Sequence, residues 1–211
     1  MERIGILGGT FDPVHKAHIT CAIDAKRQLG LDRLFLVPTR PWQKSARAGD
    51  EDRVAMLELA CENHTDTVEI DRREIERAGQ SYSIDTLYSF RKEYPQAAIF
   101  FILGNDQWKN LPTWILWEHF PELVNLAVYQ RDERTYPNPY GEKIPAKSVA
   151  EFEADPTPFG SILLMQAPAI EVSSTEIRAH LKSEHRCEPF PNLDSKVQEY
   201  ILSHDLYINE R

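Results

Sequence analysis

The chain has 211 residues, of which 42% are hydrophobic and 27% are charged, and its formal net charge is −9 at pH 7. These proportions are typical of soluble globular proteins and exclude a disordered or fibrous chain. The length allows one domain with a well-buried core, and the negative charge disfavours a broad binding surface for nucleic acid or anionic membranes.

We expect neither a membrane-spanning segment nor a secretion signal. No segment approaches the roughly 18 consecutive apolar residues that a membrane-spanning helix needs, and the first residues lead directly into a predicted strand. The cysteines, Cys21, Cys61 and Cys187, lie far apart and include no CxxC pair, which argues against a disulfide framework and against a cysteine zinc site. We therefore expect reduced cysteines in a cytoplasmic protein that has no membrane partner.

Strands and helices alternate through the first half of the chain. The apolar segment 3–7 runs into Gly8 and Gly9, as a buried parallel strand that enters a tight turn would, and apolar residues at helical spacing follow. The apolar segment 97–103 also ends at a glycine, Gly104. The predicted strands are 3–7, 34–37, 68–70 and 97–103, and the predicted helices are 18–29, 54–60 and one that begins at Ser83.

The second half continues this alternation with one interruption. Residues 132–160 mix proline, charged and aromatic residues without a period, which predicts an irregular surface excursion and not a domain boundary. The remaining predicted elements are a helix at 114–120, strands at 126–129 and 162–165, and two closing helices, 174–182 and 193–204, which together occupy the region 174–204.

This order of elements predicts the fold class. Each helix between two parallel strands forms a right-handed crossover and packs back onto the sheet. We therefore expect an α/β fold, a doubly wound (Rossmann-like) parallel sheet with helices on both faces, in a single domain over residues 1–211. Ligands of such sheets bind beyond the carboxyl ends of the strands, where two of the glycine turns lie, so the functional site is expected there.

The turn after the first strand is the segment with the most potential for chemistry. Gly8 and Gly9 let main-chain N–H groups approach a ligand closely, and the positive end of the following helix favours phosphate. His15 and His18 lie three residues apart and can direct their imidazoles to one side. Two other interpretations stay open on this segment alone: half of a metal site, or a glycine turn with hydrogen-bonded surface histidines.

A second candidate anion site lies near the end of the predicted sheet. Ser174 or Thr175 can cap a helix, and Arg178 follows one turn later, so hydroxyl, N–H and guanidinium groups could meet an anion together. A serine- and threonine-rich helix start of this kind, considered by itself, is more often only a cap.

These two segments resemble the signatures of a known superfamily. The sequence from Gly8 to His18 resembles the GGTFDPVHxxH signature of the nucleotidyltransferases related to class I aminoacyl-tRNA synthetases, with Ala17 where their HxGH motif has glycine. The sequence from Ser173 to Arg178 resembles the ISSTxIR element of the same superfamily, with Val172 in place of isoleucine.

Further motifs resemble one branch of that superfamily, the nicotinate-nucleotide adenylyltransferases. The segment 79–87 is similar to the branch's SYTxxTL segment, 104–106 to its GxD turn, and 112–114 to its PTW element. Three positions depart from the pattern: Ser83 stands where threonine is usual, Gln43 where a histidine often precedes Lys44, and Gln107 where serine is frequent.

The resemblance implies an enzyme that transfers AMP from ATP to nicotinate mononucleotide, giving nicotinate adenine dinucleotide and pyrophosphate in NAD biosynthesis. Mg²⁺ would be carried by ATP, so no residue is named as a metal ligand. Another phosphorylated acceptor, such as nicotinamide mononucleotide or phosphopantetheine, is the close alternative. A nucleotide-binding protein without catalytic activity is the distant one.

The resemblance also implies roles for individual residues. The predicted catalytic residues are His15, His18 and Arg178. The predicted ATP-binding residues are Gly8, Gly9, Thr10, Phe11, Gly104, Asp106, Arg131, Ser174 and Thr175. The predicted acceptor-binding residues are Lys44, Tyr82, Ser83, Thr86 and Trp114. The charged segment 71–74 is interpreted as a solvated surface and is given no function.

Overall fold

The computed structural model describes residues 1–40, 46–130 and 137–208 of the chain. The strands are β1 (Arg3–Gly9), β2 (Arg33–Pro38), β3 (Glu69–Ile70), β4 (Ala98–Leu103), β5 (Asn125–Gln130), β6 (Ala146–Ser148) and β7 (Ile162–Gln166). The α-helices are α1 (Lys16–Leu29), α2 (Asp50–Cys61), α3 (Arg73–Glu76), α4 (Ser83–Glu93), α5 (Asn105–Asn110), α6 (Val149–Ala154), α7 (Ser174–Leu181) and α8 (Ser195–Ser203). No helix in the described ranges is long and apolar enough to cross a membrane.

The described strands form one parallel sheet in the order β3-β2-β1-β4-β5-β7-β6. The chain moves from β1 to one edge through β2 and β3, and then crosses back to β4 and moves toward the other edge. The strand order therefore reverses between β1 and β4, where such sheets open a crevice for ligands. This architecture confirms the predicted doubly wound α/β fold.

The sheet buries apolar residues on both of its faces. Leu34 and Leu36 of β2 belong to the core under one layer of helices, whereas Phe35 and Val37 belong to the core under the other. Successive side chains of a strand point to opposite faces, so a strand covered on both faces needs an uninterrupted apolar run. The same reason explains why every residue of β4 is buried.

The helix that follows β1 has its ends where the sequence places them to within two residues. It buries Ile19, Ala22, Ala25 and Leu29 against the sheet at helical spacing. Gly30 ends it in the left-handed conformation at φ 58°, which costs glycine least. A left-handed glycine is a common end of an α-helix, and the chain turns here toward β2.

The predicted helix at 114–120 is wrong. Two short 3₁₀ helices, Leu111–Thr113 and Trp117–Glu122, flank a bend at which Leu116 has a positive φ of 53°. A left-handed residue interrupts the hydrogen bonds of an α-helix, and Pro121 removes a further N–H donor. The apolar spacing of this segment therefore fills a core without forming a regular helix.

The prediction that residues 132–160 are irregular is also wrong in part. The strand β6 adds a parallel edge to β7, and α6 follows it directly. The Ser148 hydroxyl accepts the Glu151 N–H at 3.2 Å, while the Glu151 carboxylate accepts the Ser148 N–H at 2.7 Å. This reciprocal capping has a sequence signature, serine followed three residues later by glutamate, which could have revealed the helix.

Candidate active site

Two adjoining cavities open at the carboxyl edge of the sheet, where the strand order reverses. The larger has a volume of about 630 Å³ and the smaller about 490 Å³. The pairing of Leu7 with Ile102 brings the ends of β1 and β4 side by side, so the loops that follow both strands meet here. The residues that line both cavities are Gly8, Gly9, Thr10, Asp106 and Gln107. A group bound in one cavity would therefore touch a group bound in the other at these residues.

The loop after β1 takes its shape from a close packing that only glycine allows. A Cβ atom on Gly9 would lie 2.8 Å from carbon atoms of the Phe11 ring, closer than carbon atoms tolerate. Phe11 has a positive φ of 49° and is buried. Residues in such rare backbone conformations persist where their surroundings hold them, and they are concentrated at functional sites. Packing thus holds the conformation of this loop before a ligand binds, and the loop lines both cavities.

The two histidines at the start of α1 support each other. Their rings stack with centroids 3.7 Å apart, and the His15 main-chain N–H donates to Nδ1 of His18 at 3.3 Å. Because Nδ1 of His18 accepts this hydrogen bond, a neutral His18 ring carries its proton on Nε2. The Phe11 ring meets His18 edge-on at 5.1 Å and fixes the ring plane. His18 is therefore oriented to offer an Nε2–H donor in the smaller cavity.

The helix cap predicted at Ser174 or Thr175 is one residue earlier. Ser173 caps α7, accepting the Glu176 N–H at 3.2 Å. Because α7 begins at Ser174, Ser173 is the N-cap residue, and its side chain can accept an N–H of the first turn. The Ser174 hydroxyl instead donates to the Pro13 carbonyl at 2.9 Å and so attaches α7 to the loop after β1.

Arg178 makes a second connection between the two motifs. Its Nη1 donates to the Asp12 carbonyl at 2.6 Å, and its Nη2 donates to the Thr175 hydroxyl at 3.1 Å. A guanidinium carries five N–H donors, so these two bonds leave others for a ligand. Arg178 and Asp12 lie 166 residues apart along the chain, and the fold brings the two motifs together in one wall of the cavity.

The smaller cavity collects the predicted catalytic and ATP-binding residues that lie in the described ranges. Arg131 lies outside those ranges. The predicted residues that line the smaller cavity are Gly8, Gly9, Thr10, Phe11, His15, His18, Gly104, Asp106, Ser174, Thr175 and Arg178. The amino-terminal ends of α1 and α7 both face it, and each contributes partial positive charge. The cavity is also lined by Arg47 and Arg178 and by the carboxylates of Asp12 and Asp106.

The larger cavity collects the predicted acceptor-binding residues Tyr82, Ser83, Thr86 and Trp114. Lys44 and Gln43 lie outside the described ranges. The Trp114 ring packs edge-on against Phe101 and Phe120, with centroids 6.3 Å away in both cases. Trp114 is thus both a core aromatic residue and part of the cavity wall, and packing holds its ring in place.

The start of α4 supplies main-chain donors to the larger cavity. Among the described residues, none accepts a hydrogen bond from the Ser83 or Ile84 N–H groups, whereas the Asp85 N–H bonds to the Tyr82 carbonyl at 3.1 Å. N–H groups in the first turn of a helix favour an anion through hydrogen bonds and through the helix dipole. Arg40, which is paired with Asp50, and Glu74 also line this cavity.

Gln107, which departs from the family pattern, stabilises the turn after β4. Its Oε1 accepts the Gly104 N–H at 2.9 Å at the start of α5. The Asp106 side chain is exposed and lines both cavities. Within the part of the chain that the structure describes, its carboxylate accepts no hydrogen bond, so it does not brace the turn.

The interpretation of residues 71–74 as a solvated surface is wrong. Glu74 is only 4% exposed, and its Oε1 accepts the Thr86 hydroxyl proton at 2.7 Å. Arg73 bonds to Asp71 and lies over the Phe90 ring at 3.5 Å, which holds α3 against α4 and turns Glu74 inward. Burial raises the pKa of Glu74, although hydrogen bonds from Thr86 and Ser81 oppose that rise. The Thr86 hydroxyl therefore donates to Glu74, and both residues line the larger cavity.

The Glu74→Gln variant should become more stable relative to the wild type as the pH rises. Burial raises the pKa of Glu74, so the native state binds more protons than the unfolded state at pH values above the ordinary glutamate pKa. The Glu74 carboxyl group therefore lowers the stability of the wild type as the pH rises through that range. Denaturant unfolding at about pH 5 and about pH 8 measures the difference. The exposed Glu76→Gln, on the same helix, is the control, and a Glu74→Gln difference that does not change with pH would contradict the expectation.

Sequence reasoning missed Arg53, a buried guanidinium that braces the loops at this edge. Its Nη1 donates to the Thr10 carbonyl at 2.6 Å and the Thr39 carbonyl at 2.9 Å, and its Nη2 pairs with Asp50 at 2.7 Å. Asp50 also accepts Arg40 at 2.6 Å. Nothing in the sequence around Arg53 distinguishes it from a solvated helix residue, because its partners come from distant loops.

Two adjoining cavities at the point where the strand order reverses suit an enzyme that binds a nucleoside triphosphate next to a second ligand. The fold and the site together place the protein in the class of α/β nucleotidyltransferases.

Comparison with known proteins gives the particular family. Residues 6–180 match the cytidylyltransferase-like family. The probable nicotinate-nucleotide adenylyltransferase of Listeria innocua is 38% identical over 209 residues, which are 98% of this chain and 97% of that protein. The corresponding protein of Legionella pneumophila is 36% identical and is covered over its whole length, against 98% of this chain. The chain belongs to the nicotinate-nucleotide adenylyltransferase family.

Solved structures agree with this assignment at the level of the fold. The nicotinic acid mononucleotide adenylyltransferase of Plasmodium falciparum, complexed with APC, aligns with a TM-score of 0.74 over 98% of both chains at 18% identity. The same protein complexed with NaAD aligns with the same TM-score at 19% identity.

Proposed function

We propose that the protein transfers the adenylyl group of ATP to nicotinate mononucleotide, giving nicotinate adenine dinucleotide and pyrophosphate in NAD biosynthesis. The observation that carries this proposal is the pair of cavities that share Gly8, Gly9, Thr10 and Asp106. One cavity has hydrogen-bond donors from Arg178 and from the starts of α1 and α7 that suit a triphosphate, and the other has an aromatic ring and open N–H donors that suit an anionic pyridine. Because both substrates are charged and do not cross membranes unaided, we place the reaction in the cytoplasm.

In the proposed reaction, an oxygen of the acceptor phosphate forms a bond to the α-phosphorus of ATP. The bond from that phosphorus to the oxygen bridging to the β-phosphorus breaks, and pyrophosphate leaves with the electron pair. No covalent intermediate with the enzyme is required. Such transfers are accelerated mainly by alignment of the reactants and by donors aimed at the oxygens on which charge develops.

The residues of the smaller cavity fit these requirements. The Gly9 and Phe11 N–H groups and Thr10 would hold phosphate oxygens, and His15 and His18 would donate to the α- and β-phosphates. Arg178, with Thr175 and Ser174 at the start of α7, would meet the leaving pyrophosphate. Asp106, which lines both cavities, would accept a hydrogen bond from a ribose hydroxyl, and Gly104 would leave space for it.

Magnesium would enter as part of the ATP complex and neutralise phosphate charge there. Over residues 1–40, 46–130 and 137–208, no group of three or more histidine, cysteine, aspartate and glutamate side chains is arranged to hold a metal ion. We propose that phosphate oxygens and water coordinate it.

We expect kcat/KM for nicotinate mononucleotide to exceed that for nicotinamide mononucleotide at least about tenfold. A ring carboxylate can accept from the Ser83 and Ile84 N–H groups, whereas the carboxamide brings its own NH₂ donors against them. An unpaired buried donor costs about 1–3 kcal/mol, and the helix dipole adds about 0.3–1 kcal/mol in favour of the acid. Pyrophosphate release from ATP, measured with each acceptor separately, gives the two constants.

The Trp114→Ala variant is the control for this experiment, because stacking contributes to the binding of either ring without choosing between them. Activity on both acceptors should fall together. A selectivity ratio near one, or a preference for the amide, would show that the start of α4 does not read the ring substituent. Turnover with phosphopantetheine alone would assign a different acceptor, and ATP binding without turnover on any acceptor would favour the non-catalytic alternative.

A further inference from the structure

We propose that Tyr207 is a positioning residue for adenylyl transfer, because its hydroxyl holds the Asp12 carboxylate and thereby the loop that carries the phosphate-binding groups. The inference rests on the function proposed above. Tyr207 lies 195 residues from Asp12 along the chain, and its Oη donates to Asp12 Oδ1 at 2.9 Å.

The Asp12 carboxylate is the point at which three segments of the chain meet. It is 6% exposed. Its Oδ2 accepts the Arg47 N–H at 2.7 Å, and its Oδ1 accepts the Ala48 N–H at 3.0 Å in addition to the Tyr207 hydroxyl. A buried carboxylate needs such donors, because it has lost its hydration. The position of Asp12 is therefore set by the segment before α2 and by the segment after α8.

Tyr207 is held firmly enough to act as a fixed donor. It is 7% exposed and belongs to the same apolar core as Phe11. Asp205 and Tyr207 have positive φ values of 51° and 65°, which turn the chain after α8 so that the ring enters this core. Burial, together with the neighbouring Asp12 carboxylate, raises the pKa of Tyr207, so the hydroxyl keeps its proton.

The Asp12 main chain connects this anchor to the candidate catalytic groups. The Asp12 carbonyl accepts a hydrogen bond from Arg178 Nη1 at 2.6 Å. Asp12 also directly follows Phe11, whose ring packs edge-on against the His18 ring and fixes its plane. A shift of Asp12 would move the guanidinium and the imidazole relative to each other. Interactions that matter mainly in the transition state are the most sensitive to such a shift, so kcat should respond more than KM.

The test compares two tyrosines that each donate to an aspartate. Tyr207→Phe removes only the hydroxyl on Asp12, and Tyr200→Phe removes a matching bond to Asp52 at 3.1 Å, away from both cavities. We expect Tyr207→Phe to lower kcat about fivefold or more, with both KM values changed less than about threefold. Tyr200→Phe should keep kcat within about 1.5-fold of the wild type. Thermal melts set an assay temperature at which all variants are folded.

A second measurement separates positioning from general destabilisation. In the Asp12→Ala background, which lacks the oxygen that accepts the hydroxyl, Tyr207→Phe should lower kcat by less than about twofold more, because both changes remove the same hydrogen bond. The inference is overturned if folded Tyr207→Phe keeps kcat within twofold, if Tyr200→Phe loses as much, or if the two losses multiply. Kinetics use whichever acceptor the wild type turns over, so a wrong acceptor leaves this test intact. A wild type without turnover overturns the proposed function and this inference together.

Discussion

Replacing His18 with alanine should lower kcat at least about a hundredfold, which corresponds to about 3 kcal/mol at the transition state. The His18 ring is held between the His15 ring and the edge of Phe11, and its Nδ1 accepts the His15 N–H. The neutral ring therefore presents its single donor, Nε2–H, without reorganisation. A donor fixed in advance gains most where negative charge develops during transfer, so the loss should appear in kcat. Steady-state kinetics with both substrates varied measure it.

The control for this experiment is His204→Ala. His204 also stacks on an aromatic ring, at 3.9 Å from Tyr200, but it is exposed and lies in neither cavity. It should keep nearly full activity. The role of His18 in the transition state would be refuted by a His18→Ala enzyme that melts like the wild type and keeps more than about a tenth of its kcat.

Replacing Arg178 with alanine should weaken the binding of ATP and pyrophosphate about thirtyfold, or about 2 kcal/mol, while acceptor affinity changes little. Arg178 lines the smaller cavity, and its side chain is already oriented by the Asp12 carbonyl and the Thr175 hydroxyl. An oriented guanidinium loses less conformational freedom on binding an anion than a free one would. Calorimetric titrations with ATP, pyrophosphate and nicotinate mononucleotide give the three affinities.

The Arg178→Lys variant sharpens this result. Lysine keeps the charge but cannot make the planar, forked contacts, so it should recover only part of the lost affinity. Full recovery by lysine would mean that charge alone is recognised. An equal loss for ATP and for the acceptor would mean that the two cavities have been assigned to the wrong substrates.

The sequence by itself determined the described strands other than β6, the longer helices and the candidate phosphate loop. Their signals are local: β4 is an unbroken apolar run, α1 has apolar residues at helical spacing before Gly30, and Gly8 and Gly9 precede two histidines. Local signals of this kind depend on side chains within a few residues of each other, which the linear order preserves. The family signatures belong to the same category, because each is a short uninterrupted segment.

Other features were decided only when the elements packed together. The carboxylate of Glu74 looks like part of a charged surface until Arg73 packs over Phe90 and turns it inward. The segment around Trp114 has helical spacing, but the core that it fills imposes 3₁₀ turns and a left-handed Leu116. In both cases contacts with distant residues override the local preference.

The hydrogen bonds of Arg53 and Tyr207 show most clearly what the sequence alone does not predict. Arg53 joins the carbonyls of Thr10 and Thr39, and Tyr207 reaches Asp12 across 195 positions of the chain. Hydrogen bonds between distant segments leave no periodic trace in a sequence, since neither partner needs a particular neighbour along the chain. The sequence therefore indicated candidate groups for the chemistry, and the packing of helices on both faces of the sheet decided which groups would hold them in place.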